Sequence, residues 1–166
     1  MGLCCGAEAL HGCGSLVGKH FRQRLLVNVP EHLRALGAFH RILRAEGGRA
    51  AVRRLVDRYR ATVVLKGPHT LVASPDCADV FECPAGNPFM ALGGMGDLLA
   101  GTLAARWAYL SKACPDPDAA FLAACGAVWL HSAASDALVA ADPPGDPSIV
   151  NTAKAIASLR VRLERA

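Results

Sequence analysis

The stretch VRRLVDRYRATVVLKGPHT, Val52 to Thr70, decides the fold. Val52, Leu55, Val56 and Tyr59 stand at i, i+3, i+4 and i+7, one face of an amphipathic helix. Ala61 to Leu65 then reads ATVVL, a continuous β-branched run. Such runs suit strands buried on both faces, as in parallel sheets. Helix, short connection and buried strand together predict an α/β layer.

Outward from that unit, Leu71 to Ala73 and Asp79 to Cys83 are strand-like, with a turn at Pro75-Asp76. Upstream, Leu25 to Val29 forms a short apolar run ended by Pro30. A helix is expected from near Glu31, broken by Gly47-Gly48. Residues 1–24 lack periodicity and are read as a poorly defined leader; residues 25–166 are read as the folded unit. Downstream, a glycine-rich loop from Pro84 to Gly96 feeds a helix opened by Asp97. A second helix is expected from about Ala119 to Ala141, and a third from about Ser148 to Arg165.

Composition bounds the function. The 166 residues suffice for one domain with a real core, and 52% hydrophobic against 19% charged residues excludes a disordered chain. At 5% aromatic, the chain is a poor stacking surface for single-stranded nucleic acid. Residues 1–66 carry twelve Lys/Arg against four Asp/Glu; residues 67–166 carry six against ten. No base-reading motif accompanies the arginines from Arg41 to Arg60, so a solvated helix face is expected and no nucleic-acid partner. The seven cysteines (Cys4, Cys5, Cys13, Cys77, Cys83, Cys114 and Cys125) are odd in number and contain no C-x-x-C. Reduced thiols in a cytoplasmic protein are the simplest reading. The apolar run from Phe121 to Ala141 holds His131, Ser132, Ser135 and Asp136, so it reads as a buried helix and not as a membrane span.

The densest chemical signal is GNPFMALGGMGD, Gly86 to Asp97. Glycines let backbone amides approach a ligand, and a helix N-terminus favours anions. Asp97 in the first turn either caps the helix or acts as a general base beside a phosphate; the loop alone does not decide. The spacing matches neither a Walker loop nor a dinucleotide fingerprint. Lys66-Gly67-Pro68-His69-Thr70 follows the ATVVL strand, where ligands of α/β sheets bind. It is equally well a plain turn.

VVLKGPHTLV, GNPFMALGGMGDLLAG and VWLHSAASD together resemble the C-terminal half of the ADP-dependent NAD(P)H-hydrate dehydratases, members of the ribokinase-like superfamily. The resemblance runs from Leu25 to Ser158 and is strongest between Val63 and Asp136. It implies a partial ribokinase-like fold, a central sheet flanked by helices. It implies an enzyme that phosphorylates the hydroxyl of hydrated NADH or NADPH with ADP or ATP, then expels phosphate to restore the cofactor. By the same resemblance Asp97 is the base that also meets the substrate, and Gly94 and Gly96 supply the anion hole. Lys66, Gly67, Pro68, His69, Thr70 and Gly96 hold the nucleotide. Asn87 orients the loop or a metal-bound water beside the substrate. His131 matches a family histidine and is read as structural, satisfying a core hydrogen bond. Mg²⁺ is expected with the nucleotide phosphates.

The chain departs from the family pattern in three places. A substrate-side His is missing at Val27-Asn28-Val29-Pro30-Glu31, and an acid is missing at Asn151-Thr152-Ala153. The chain also reads as half of the family's catalytic domain behind an unrelated leader. Association through an exposed sheet edge, with another copy of the chain or another partner, is therefore expected. The rival readings are a related small-molecule kinase and a non-catalytic remnant or subunit.

Overall fold

The computed structural model describes residues 24–27, 47–113, 118–141 and 144–165. The leader and the helix expected from Glu31 lie outside the described residues. The described sheet has four strands: β1 (Arg24–Val27), β2 (Ala61–Leu65), β3 (Leu71–Ala73) and β4 (Phe81–Glu82), hydrogen-bonded in that order. The helices are α1 (residues 47–59 of the described chain), α2 (Met95–Ala113), α3 (Ala119–Val139) and α4 (Ile149–Glu164).

The ATVVL run forms β2 with the predicted bounds, and its first four residues are buried. Its side chains alternate between two cores. Val63 packs with Val52 and Val56 of α1 and with Leu71 and Ala73 of β3. Val64 turns the other way, joining Val72, Leu99 and Leu103 of α2, and Ala124, Ala127 and Val128 of α3. Helices therefore cover both faces of β2, which is why the run carries no polar alternation.

The sheet is mixed, which corrects the parallel expectation. β1 runs parallel to β2, Leu26 opposite Val63, but β2–β3 and β3–β4 are antiparallel, with Val72 opposite Val64 and Phe81. The connection between β2 and β3, residues 66–70, is a hairpin loop, too short for the crossover that parallel strands need. The strand predicted at Asp79–Cys83 contracts to Phe81–Glu82, because β3 offers only three residues to pair. The Gly47-Gly48 pair falls within the helical range, Gly47 at φ +83.

Among the described residues, α3 is the one helix long and apolar enough to cross a membrane; half of that stretch is buried inside the fold. Alanines at 119, 120, 123, 124, 127 and 134 allow its close approach to neighbouring elements. Its apolar character is that of a core helix, as the sequence predicts.

Arg53 ties α1 to the loop between β3 and β4. Its guanidinium donates to the carbonyls of Ser74 (3.0 Å) and Cys77 (2.9 Å), and to those of Ala78 and Asp79. The reading of the basic segment as a solvated face is thereby corrected at this residue. Arg53→Ala leaves those carbonyls to find water and is expected to cost roughly 1–3 kcal/mol in urea unfolding. Arg160→Ala, which removes an exposed pair with Glu164 (3.6 Å), is expected to cost less than about 0.5 kcal/mol.

Candidate functional site

The glycine loop meets α2 at a point where the chain has no side chains to hold itself. Gly94 takes φ +87, a left-handed conformation open mainly to glycine. A Cβ there would stand 2.6 Å from Ile149 Cδ1. The Gly94 carbonyl accepts the first helical bond, from the Leu98 amide at 3.0 Å, and the Met95 amide donates to Leu92 O at 3.3 Å. The Gly96 and Asp97 amides lie in the first turn, with no helical carbonyl behind them. They are the donors available to an anion.

Lys66, the residue after β2, reaches the same spot. Its Nζ lies 3.1 Å from where a Cβ on Gly96 would be, so a side chain there would displace the ammonium. Asp97 is exposed in the first turn of α2. Among the described residues its carboxylate makes no hydrogen bond or ion pair. It is therefore not a side-chain cap in this structure.

Polar residues of α3 hold the loop in place. Asp136 Oδ2 accepts from the Gly86 amide at 2.8 Å, and Oδ1 accepts from Asn87 Nδ2 at 2.7 Å. Asn87 Nδ2 also donates to Ser135 Oγ (3.1 Å), while its Oδ1 accepts from the Phe89 amide (3.1 Å). Of the two expectations for Asn87, orienting the loop is what these bonds do. The sequence reading missed Asp136 and Ser135. The signal was present in VWLHSAASD: His131, Ser132, Ser135 and Asp136 fall at i, i+1, i+4 and i+5, one side of an otherwise apolar helix.

His131 is buried near the Met95 backbone at the start of α2, and its Nε2 has no hydrogen-bond partner among the described residues. Its burial fits a place in the core, but the core hydrogen bond expected of it is not made at Nε2. Burial, and then the nearby Lys66 charge, push its pKa below the ordinary value. Burial also pushes the Cys125 thiol up to about 12, with Cys77 adding to the effect, so it stays protonated. Cys77, Cys83 and Cys125 are free thiols; the other four cysteines lie outside the described residues.

Gly67 to Thr70 form the turn beyond β2, fixed by Thr70 Oγ1 donating to Gly67 O at 3.3 Å. Lys66, Gly67, Pro68 and His69 line a cavity of about 450 Å³ together with Arg49 on α1 and Glu82 on β4. Arg49 Nη2 bonds Glu82 Oε2 at 2.7 Å, and His69 Nδ1 stands 3.8 Å from Glu82 Oε1. Lys66, Gly94, Gly96 and Asp97 thus gather at one corner. His69 faces Glu82 instead.

A family model described as NAD(P)H-hydrate dehydratase matches residues 28–153. The bifunctional NAD(P)H-hydrate repair enzyme Nnr of Vibrio cholerae is 48% identical over 87 residues, 52% of this chain and 16% of that enzyme. The ADP-dependent (S)-NAD(P)H-hydrate dehydratase of Neisseria meningitidis is 43% identical over 89 residues, 54% of this chain and 27% of that one. The ADP/ATP-dependent NAD(P)H-hydrate dehydratase of Bacillus subtilis, co-crystallised with ATP and Mg²⁺, superposes with TM-score 0.57 at 24% identity, over 72% of this chain and 40% of that one. A ribokinase-like superfamily protein of Enterococcus faecalis superposes with TM-score 0.53 at 30% identity, over 71% of this chain and 37% of that one. The fold is thus a partial ribokinase-like α/β fold. The chain spans well under half the length of each of these proteins.

Two measurements check the scaffold. Asp136→Ala is expected to speed amide hydrogen exchange at Gly86 and Phe89 while leaving the β2 amides unchanged. The lowered His131 pKa means that the unfolded chain binds that proton more tightly. Its contribution to stability is therefore full above the ordinary histidine pKa of about 6.5 and is lost as pH falls from there toward the folded value. Urea unfolding from pH 7.5 to 5 is expected to show this loss in the wild type and a flatter profile in His131→Gln.

Proposed function

The chain belongs to the NAD(P)H-hydrate dehydratase family, and we propose that it serves the nucleotide-dependent return of hydrated NADH and NADPH to NADH and NADPH. The observation that carries this reading is the position of Lys66. An ammonium beside the positive end of a 19-residue helix favours an anion between them, beyond what the Asp97 carboxylate in the first turn offsets. A nucleotide phosphate fits there, taking the Gly96 and Asp97 amides on one side and Lys66 on the other. The matched Neisseria enzyme is named as ADP-dependent, which supports ADP as donor, and ATP is the alternative.

Each residue then has a task. Lys66 and the Gly67–Thr70 turn hold the nucleotide. The Gly94 conformation aims the Gly96 and Asp97 amides at the terminal phosphoryl group, where they stabilise developing charge. Asp97 takes the proton from the ring hydroxyl as its oxygen attacks phosphorus, and the nucleotide leaves one phosphate shorter. The ring C–O bond then breaks with its electron pair going to phosphate, a far better leaving group than hydroxide. Loss of a neighbouring ring proton restores the double bond. Asn87, held by Asp136, keeps the loop beside the substrate.

The donor set suits Mg²⁺ carried by the nucleotide. Among the described residues no three His, Cys, Asp or Glu side chains form a metal cluster. Mg²⁺ commonly keeps several waters and binds chiefly through substrate phosphates, which fits a site whose carboxylate Asp97 serves as the base. When bound, the ion would neutralise phosphate charge. The free thiols at Cys77, Cys83 and Cys125 support a reducing, cytoplasmic setting. Of the described strands, β1 and β4 end the sheet, so association with another copy or partner would use one of these edges.

The test is NADH recovery from hydrated NADH with ADP or ATP, alongside nucleotide binding. Asp97→Ala is expected to keep nucleotide binding within a fewfold and to lower recovery by on the order of a hundredfold or more. A folded wild-type sample that binds neither nucleotide contradicts the reading. Release of a phosphorylated product without NADH recovery assigns a kinase instead.

A further inference from the structure

The cavity beside the Lys66–His69 turn is lined by groups of opposite charge on different elements. One is Lys66, adjoining the α2 amides. The other is Glu82, anchored through Oε2 by Arg49 at 2.7 Å. Leu65 and Leu71 supply apolar walls between them, and the volume of about 450 Å³ lies in the range of small-ligand sites. Glu82 belongs to the edge strand β4, and its side chain is 38% exposed, so water or a ligand reaches it.

We propose that this cavity holds the nucleoside part of the nucleotide and that Glu82 recognises the ribose through its vicinal hydroxyls. The inference rests on the nucleotide reading of the α2 corner and adds a specificity residue to it. A phosphate cannot settle beside Glu82, because a carboxylate repels it and Arg49 is already paired. The same carboxylate accepts hydrogen bonds, and each ribose hydroxyl has one to give. Arg49 holds Oε2 at 2.7 Å, while His69 Nδ1 stands 3.8 Å from Oε1, beyond hydrogen-bond length, so Oε1 can meet the sugar with little ordering left to do. Lys66 thus draws phosphate to itself and Glu82 excludes it. The ligand enters in one orientation, with its sugar against Glu82. Nothing in the family motifs marked Glu82, since it lies between VVLKGPHTLV and the glycine loop.

Calorimetric titration of the intact chain with ADP, 2′-deoxy-ADP and 3′-deoxy-ADP tests this. The wild type is expected to bind ADP roughly tenfold more tightly than either deoxy analogue, the effect of one charge-assisted hydrogen bond. Glu82→Ala is expected to bind all three alike, at the wild-type deoxy level, with unchanged circular dichroism. Glu82→Gln, which keeps the side-chain volume, provides the same comparison should the alanine variant fail to fold, and is expected to show reduced discrimination. Equal binding of ADP and both deoxy analogues by the wild type overturns the Glu82 assignment alone. So does discrimination that survives intact in a folded variant. Absence of ADP binding altogether overturns the nucleotide reading, and this inference with it.

Discussion

A glycine loop has no side chains with which to fix its own shape, so something else must do it. Here the Asp136 carboxylate bonds the Gly86 amide and the Asn87 side chain, and His131 is buried near the Met95 backbone where α2 begins. Both come from α3, a helix whose alanines let it lie close to its neighbours. The loop is therefore clamped by hydrogen bonds at its entry and packed against a buried side chain at its exit. Between the clamps, Gly94 adopts a conformation that a side chain would strain, and Gly93 faces open space. The proposed anion corner depends on this hold, since preorganised amides act on a phosphate only when they already point at it.

Where the sequence was legible, one local force dominated. ATVVL became β2 with its predicted bounds because an apolar run buried on both faces leaves few alternatives. Asp97 fell in the first turn of α2 because glycines upstream favour loop and the residues after it favour helix. Ser148 accepts from the Asn151 amide at 3.5 Å and starts α4, one residue inside the expected range. Strand direction was less legible. Burial on two faces suits parallel strands, but it follows from any arrangement with helices on both sides of a strand. The short turn after Leu65 set the direction of β3, and its length was readable.

The least legible features were tertiary. Asp136 sits fifty residues from Gly86, and no local pattern pairs them, although the polar side of α3 could be read from spacing alone. The arginines give the same lesson. Arg53 seeks four carbonyls, Arg49 bonds Glu82, and Arg58 lies over the Tyr59 ring at 5.6 Å. A segment that reads as uniformly basic is thus divided between fastening α1 to the sheet and bounding a cavity. Charge counts reveal an excess, and only the fold shows which charges are already engaged.

In the proposed function, the first-turn amides of α2, with Lys66 opposite, grip a nucleotide's phosphates. Amide chemical shifts followed by NMR during titration with ADP test it most directly. The account predicts the largest saturable shifts at Gly96 and Asp97, with smaller ones along Gly67 to Thr70 and none in α4 beyond its first turn. Saturable binding that leaves Gly96 and Asp97 unmoved would contradict it.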